Sequence, residues 1–263
     1  MLDAVEMPPY PGVLWHSVFG SALHHLVCVN QGAECSACLF LHQCDYTHLF
    51  QGIRPPDSDI MRKYTTVPTP HIFRMTTLEP ETIPVGGELT TEVILPGNSN
   101  HKLPVLARAL YSAGMGGLGK RRSRAGLVQI TQTHPDGATR DLLHDGQLRD
   151  ALPGHGPLPT GTAQPDAAIA HALQTFRAGG QRQGIDVGRY LMAIIRRVDL
   201  LQYFYTGHKL EADFRHLKAL TETIPVMAHT LQYQPSARYS ALCPAYQGYR
   251  RFCRTDHAGF AWA

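Results

Sequence analysis

The stretch CVNQGAECSACLFLHQC, residues 28–44, constrains the fold of this chain more than any other. It carries Cys28, Cys35, Cys38 and Cys44, four of the six cysteines of the chain. Only the Cys35–Cys38 pair has the tight knuckle spacing of a tetrahedral zinc site. A loop with so little apolar content cannot fold around a core of its own, so two arrangements are open. The four thiols are reduced and packed on a domain, or they bind a structural zinc; the zinc is the expectation taken forward. Four thiolates leave no position for a water, which makes such a metal structural and not catalytic. His42 and His48 stand near enough to substitute as ligands, but they read as loop histidines.

The compartment matters to that reading. No run approaches the roughly 18 apolar residues that span a bilayer, and MLDAVEMPPYPG lacks the basic and apolar regions of a signal peptide. A cytoplasmic protein with no membrane partner is expected, where clustered cysteines are thiols or metal ligands before they are disulfides. At 263 residues and 43% hydrophobic content, the chain can build two compact units.

A formal charge of +3 does not by itself imply a nucleic-acid partner. The distribution says more: KRRSR at 120–124, Arg196 with Arg197, and a tail at 238–254 whose arginines alternate with Tyr239, Tyr246, Tyr249 and Phe252. Each group alone reads as solvated surface. Arginine alternating with aromatic rings is also how proteins hold single-stranded RNA, by phosphate contacts and base stacking.

Periodicity organises the rest. Phe19, Ala22, Leu23, Leu26 and Val27 predict a first helix entered through PPYPG. PHIFRM and the β-branched ELTTEVIL predict strands, and Leu103, Leu106, Ala107 and Leu110 a short second helix. That helix stops at the glycine cluster GMGGLGKRRSRAG, followed by a strand at LVQITQ and a turn at HPDG. The first half therefore reads as a βαββαβ, ferredoxin-like unit over residues 1–152. Residues 153–166, PGHGPLPTGTAQPD, are breakers without periodicity and form the expected linker. In residues 167–263, Val187, Tyr190, Leu191, Ile194, Ile195, Val198 and Leu201 predict one amphipathic helix, and Leu210, Phe214, Leu217 and Leu220 another. No tandem repeat is visible.

Five segments in order, PPYPGVLWHSVFGSALHHLVCV, CSACLFLHQCDYTHLF, GLGKRRSRAGLVQIT, YLMAIIRRVDLLQYFYTGHKLEADFRHL and RYS, resemble the CRISPR-associated RAMP-superfamily endoribonucleases that process precursor CRISPR RNA. The resemblance covers most of the chain. It implies an α+β protein of two ferredoxin-like, RRM-type units in tandem, with the Cys-rich loop in the first. It implies a repeat-derived RNA hairpin and other effector subunits as partners, and cleavage without a catalytic metal. Departures are visible: His16 stands where the family pattern has arginine, His24 and His25 where it has basic residues, and no glycine-rich loop follows RYS. The second unit is therefore expected to be abbreviated, as in a specialised member of type IV systems.

Metal-free cleavage needs a base for the 2′-hydroxyl, an acid for the leaving 5′-oxygen and positive charge beside the phosphate, and histidine suits the first two. His24 and His25 are the catalytic candidates; as plain residues they are equally a solvated helix pair. Tyr239, or Tyr10, could orient the nucleophile. Lys120, Arg121, Arg122, Arg124, Arg196, Arg197, Arg238, Arg250 and Arg251 are the expected RNA contacts, and an arginine can replace histidine at the phosphate. GMGGLGK leads from helix to strand, the reverse of a phosphate-binding loop, so nucleotide binding is rejected. A non-catalytic hairpin-binding subunit is the alternative to the nuclease. A zinc-dependent DNA-binding regulator would need a reading helix and a dimer pattern, which are not found.

Overall fold

The computed structural model describes residues 1–8, 11–32, 34–74, 81–133, 137–144, 147–149, 173–176, 187–224, 231–237 and 256–262. Their architecture is α+β, with helices packed beside small antiparallel sheets. The chain divides into two units: residues 1–161 with 194–212, and residues 162–193 with 213–263.

In the first unit, helix α1 (Gly12–Val27) follows Pro11 and strand β1 (Val5–Met7). Trp15, Phe19 and Leu23, spaced by four, form its buried line. The predicted stripe ran through Leu26 as well, but Leu26 is 41% exposed in the last turn. The helix ends where Cys28 turns extended, its N–H still reaching the His24 carbonyl at 2.9 Å.

Strand β2 (Ile72–Arg74) pairs antiparallel with β4 (Glu92–Ile94), and β1 pairs antiparallel with β3 (Glu81–Ile83). Each pair stands as a two-stranded sheet. Helix α2 (Leu103–Gly116) carries Pro104 in its first turn, where no intrahelical N–H is needed. It stops within the predicted glycine cluster, after Gly116, and is capped by Gly117, whose φ of 99° suits glycine. After the hairpin at 118–123 come β5 (Thr131–Thr133) and β6 (Thr139–Asp141), paired across the predicted HPDG turn, then the short β7 (Leu143–His144) and β8 (Gln147–Leu148).

Two clusters of side chains hold this unit. One joins Val5, Met7, Trp15, Ile83, Leu118 and Ala125 at the N-terminal end of α1. The other joins Phe19, Leu23, Tyr46, Leu49, Leu106 and Ala109 further along it, and Phe73 packs on both. Phe19, Leu23 and Leu49 are fully buried, each worth roughly 1.5–3 kcal/mol. A π-helix at Thr47–Gln51, ended by Gly52 at φ 60°, brings Phe50 onto α1. The Phe50 ring lies so close to Gly20 that a β-carbon there would overlap it, which explains a glycine inside α1.

Helix α3 (Val187–Thr206) includes the predicted amphipathic helix and extends beyond it; residues from Ile194 onward belong to the first unit. There Leu201 and Tyr205 are buried, and the Tyr205 hydroxyl donates to the Pro68 carbonyl at 2.8 Å. In the second unit, Asp213 caps helix α4 (Phe214–Glu222) by accepting from the N–H groups of Arg215 and His216. Strands β9 (Leu173–Phe176), β10 (Leu231–Ala237) and β11 (Asp256–Trp262) form an antiparallel sheet in the order β10-β11-β9. The predicted linker at 153–166 lies outside the described residues. No helix among the described residues is long and apolar enough to cross a membrane.

Candidate functional site

His24 and His25 occupy the last turn of α1, where the helix dipole favours positive charge. They differ in what they touch. The His24 ring packs edge-on against Tyr46 at 4.7 Å between centroids and is half-buried. His25 is exposed, with Nδ1 2.8 Å from the Ser21 carbonyl one turn back. A carbonyl only accepts, so Nδ1 must carry the proton of the neutral ring. The lone pair is then on Nε2, away from the helix. That is the tautomer a general base needs.

The basic turn is built by a tight hairpin. Leu118 and Ser123 exchange both backbone hydrogen bonds, at 2.8 and 3.0 Å, with Gly119 and Arg122 in left-handed backbone between them. The four cations predicted to act together divide in two. Arg121 pairs with Glu6 at 3.0 Å, and Arg124 with Asp3 at 3.1 Å. The Arg124 guanidinium holds the Asp3 carboxyl below its ordinary range by hydrogen bonding. Lys120 and Arg122 are exposed at the tip and form no ion pair with a described residue.

These two halves of the predicted site stand at opposite ends of α1. Leu118, beneath the basic turn, packs in the cluster with Trp15, whereas His24 and His25 lie ten residues further along the helix, about 15 Å at 1.5 Å per residue.

Between them the structure assembles a group that periodicity did not reveal. His71, at the start of β2, is 4% exposed and its Nδ1 lies 2.8 Å from the Leu49 carbonyl in the π-helix. The His16 ring of α1 stacks at 5.5 Å from it and at 4.6 Å from Phe50. Burial is the main cause that pushes His71 down to about 4; the charge of His16 and that of Arg197 on α3 add to it. Arg196 and Arg197 are both exposed, and only Arg197 acts on His71. Burial also pushes the Tyr205 phenol well above its usual range, against the pull of Arg197. His48, beside Tyr205 at 5.5 Å, is lowered by burial and by Lys102.

The four cysteines gather at the end of α1. Cys38 donates its N–H to the Cys35 carbonyl at 3.1 Å, closing the tight turn between them. Cys35 is raised by burial first, opposed by a Gln51 hydrogen bond, and raised further by Cys28, Cys44 and Cys38 around it. None of the four is in a disulfide. Among the described residues no three His, Cys, Asp or Glu side chains are arranged to hold a metal ion as they stand. Val29, Leu39 and Phe40 of the same loop are exposed rather than packed.

Tyr10, Arg238, Tyr239, Arg250 and Arg251 lie outside the described residues. A surface hollow lined by Arg54, Ser58, Asp59 and Arg62 offers no rival site, because the Arg54 guanidinium is occupied by the carbonyls of Tyr64, Pro55 and Ser58.

No curated protein and no solved structure matches the chain. A family model described as the AF_1859_N N-terminal domain matches residues 1–155. That stretch is more than half of the 263 residues, and the chain therefore belongs to the AF_1859_N family.

Proposed function

We propose that this protein is a metal-independent endoribonuclease that binds the repeat hairpin of precursor CRISPR RNA, cuts it to a 2′,3′-cyclic phosphate and a 5′-hydroxyl, and stays bound to the product hairpin with other effector subunits in the cytoplasm. The observation that carries the reading is His25: exposed, at a helix end, with its proton fixed on Nδ1 and its lone pair on Nε2. A base of this kind takes the proton from the 2′-hydroxyl, whose oxygen then attacks the adjacent phosphorus and displaces the 5′-oxygen. The leaving oxygen takes a proton from an acid, for which the half-buried His24 is the neighbouring candidate. Lys120 and Arg122, which pair with no carboxylate among the described residues, are suited to the phosphates of the hairpin. The five ordered motifs supply the substrate class, and the finer fold expectation, two ferredoxin-like units with the second abbreviated, belongs to the same reading.

The cysteine loop fits a structural zinc in its donor set. Cys28, Cys35, Cys38 and Cys44 would hold the ion, and the metal would supply the loop with the anchorage that its exposed apolar side chains do not. Cys28 is tied through its N–H to His24, so that anchorage also steadies the last turn of α1.

Incubating the full chain with its repeat RNA in EDTA tests the reading. Cleavage that persists, and that fails when the scissile nucleotide is 2′-deoxy, is the expected result. Tight hairpin binding without any cleavage would assign the chain instead as a non-catalytic hairpin-binding subunit.

A further inference from the structure

The His16 and His71 rings stand 5.5 Å apart, and Arg197 is near enough to act on His71 electrostatically; all three carry positive charge when protonated. No carboxylate is among the causes acting on His71, and Arg197 makes no ion pair with a described residue. The clustering follows from the fold. Arg197, Leu201 and Tyr205 are spaced by four on α3, and the Tyr205 hydroxyl bonds to the Pro68 carbonyl, three residues before His71. The Tyr205 end of this stripe is thereby held against the segment that leads into β2. Helix α1 presents His16 at 5.5 Å from the His71 ring.

One atom of the cluster is unexplained by packing. Nδ1 of His71 is bonded to the Leu49 carbonyl and must be its donor, so Nε2 carries the lone pair of the neutral ring. That Nε2 is buried and has no hydrogen-bond partner. A buried polar atom left without a partner costs on the order of 1–3 kcal/mol, and such an atom in a folded protein calls for an explanation. The rings around it, Phe19, Phe50 and Phe73, cannot accept or donate in its plane. A second proton on Nε2 would convert it to a donor, at the cost of placing a positive charge beside the Arg197 guanidinium and the His16 ring. An anion removes that cost.

We propose that His16, His71 and Arg197 form a binding site for one phosphate-class oxyanion, taken up together with a proton on Nε2 of His71. The planar guanidinium and the imidazolium each offer N–H groups to a tetrahedral oxyanion. The π-helix sets the tautomer, because the Leu49 carbonyl holds the first proton on Nδ1 and only a second can reach the ligand. The tautomer lock couples binding to proton uptake, so affinity rises as pH falls from 7 towards 5, by at most about tenfold per unit. The charged and titratable groups acting on His71 are His16 from α1 and Arg197 from α3. The site does not depend on RNA cleavage: an RNA phosphodiester and free phosphate present the same oxygens.

The test uses the full chain with 15N-labelled histidine, and sulfate as the probe because its charge is constant across this range. Sulfate is expected to move the His71 ring to the imidazolium pattern and to raise its titration midpoint by a unit or more. Arg197→Gln, at an exposed position, should weaken sulfate binding about tenfold without changing the Nδ1 bond to Leu49. A His71 titration that is the same with and without sulfate, or an unaltered affinity in Arg197→Gln, overturns the proposal. If a repeat hairpin displaces sulfate and produces the same ring shift, the natural ligand is a nucleic-acid phosphate. If sulfate and inorganic phosphate bind and the hairpin does not displace them, the site takes a free oxyanion, which leaves the endoribonuclease reading to be judged separately.

Discussion

His71 illustrates how much a single side chain can fix. Folded, its ring binds a second proton only near pH 4, against 6.5 for an ordinary histidine, so the unfolded chain takes up more protons between these values. Its contribution to stability is complete above pH 6.5 and declines as pH falls to about 4, by about 3 kcal/mol in total. Chemical denaturation at several pH values should show that slope in the parent chain, and a flatter one in His71→Gln; equal slopes would mean that His71 is not the group responsible. At the other end of α1, His25→Ala should lower the single-turnover cleavage rate on the order of 10²- to 10⁴-fold with hairpin affinity kept. His24→Ala should also weaken packing on Tyr46, and is expected to lower thermal stability as well as rate. Neither difference was legible in the sequence, where His24 and His25 are adjacent and alike. It arises because successive helix positions are about 100° apart, so one ring meets Tyr46 while the other reaches solvent and the Ser21 carbonyl. His71 was invisible for another reason: a lone histidine in PHIFRM carries no signal until the fold brings His16 beside it.

Elements were read from periodicity more securely than their ends. Among the described residues, α1 to α4 lie where apolar spacing put them, and strands β2 and β4 lie within the two predicted extended segments. Helix α2 stops in the predicted glycine cluster but takes in its first residues, because Ala113 and Gly114 are buried as helix. The π-helix at Thr47–Gln51 had no signature at all; it is sustained by tertiary contacts, among them Phe50 on α1 and His71 on the Leu49 carbonyl. Gly20→Ala tests that joint. The added methyl must displace the Phe50 ring, and overpacking of this kind is expected to cost about 1–3 kcal/mol despite the better helix propensity of alanine. An unchanged melting temperature would show that the π-helix yields without strain. For the cysteine loop, metal analysis should find about one zinc per chain in protein purified without chelator. Cys38→Ser should then lose the metal and lower thermal stability before it alters cleavage. Zinc-free protein with all four thiols reduced would reject the metal.

At the scale of the whole molecule, charge and chemistry are spread along the first unit instead of being gathered in one pocket. The basic turn and the terminal histidines lie about 15 Å apart along α1. Motif order in the sequence pointed to both groups but not to their separation, nor to the pairing of Arg121 with Glu6 and Arg124 with Asp3. Lys120 and Arg122 should therefore dominate hairpin binding. Replacing both by alanine is expected to lower the log–log salt slope by roughly 0.7–0.9 per lost phosphate contact; Arg121→Ala and Arg124→Ala should change it less. Equal effects from all four would mean that the Asp3 and Glu6 pairs open when RNA binds. The most direct test of the central claim is a single-turnover assay of the full chain on its repeat hairpin in excess EDTA. The account predicts one cut, a 2′,3′-cyclic phosphate end, and no reaction when the scissile nucleotide lacks its 2′-hydroxyl. Cleavage that stops in EDTA and returns with magnesium, or that proceeds on the 2′-deoxy substrate, would contradict it.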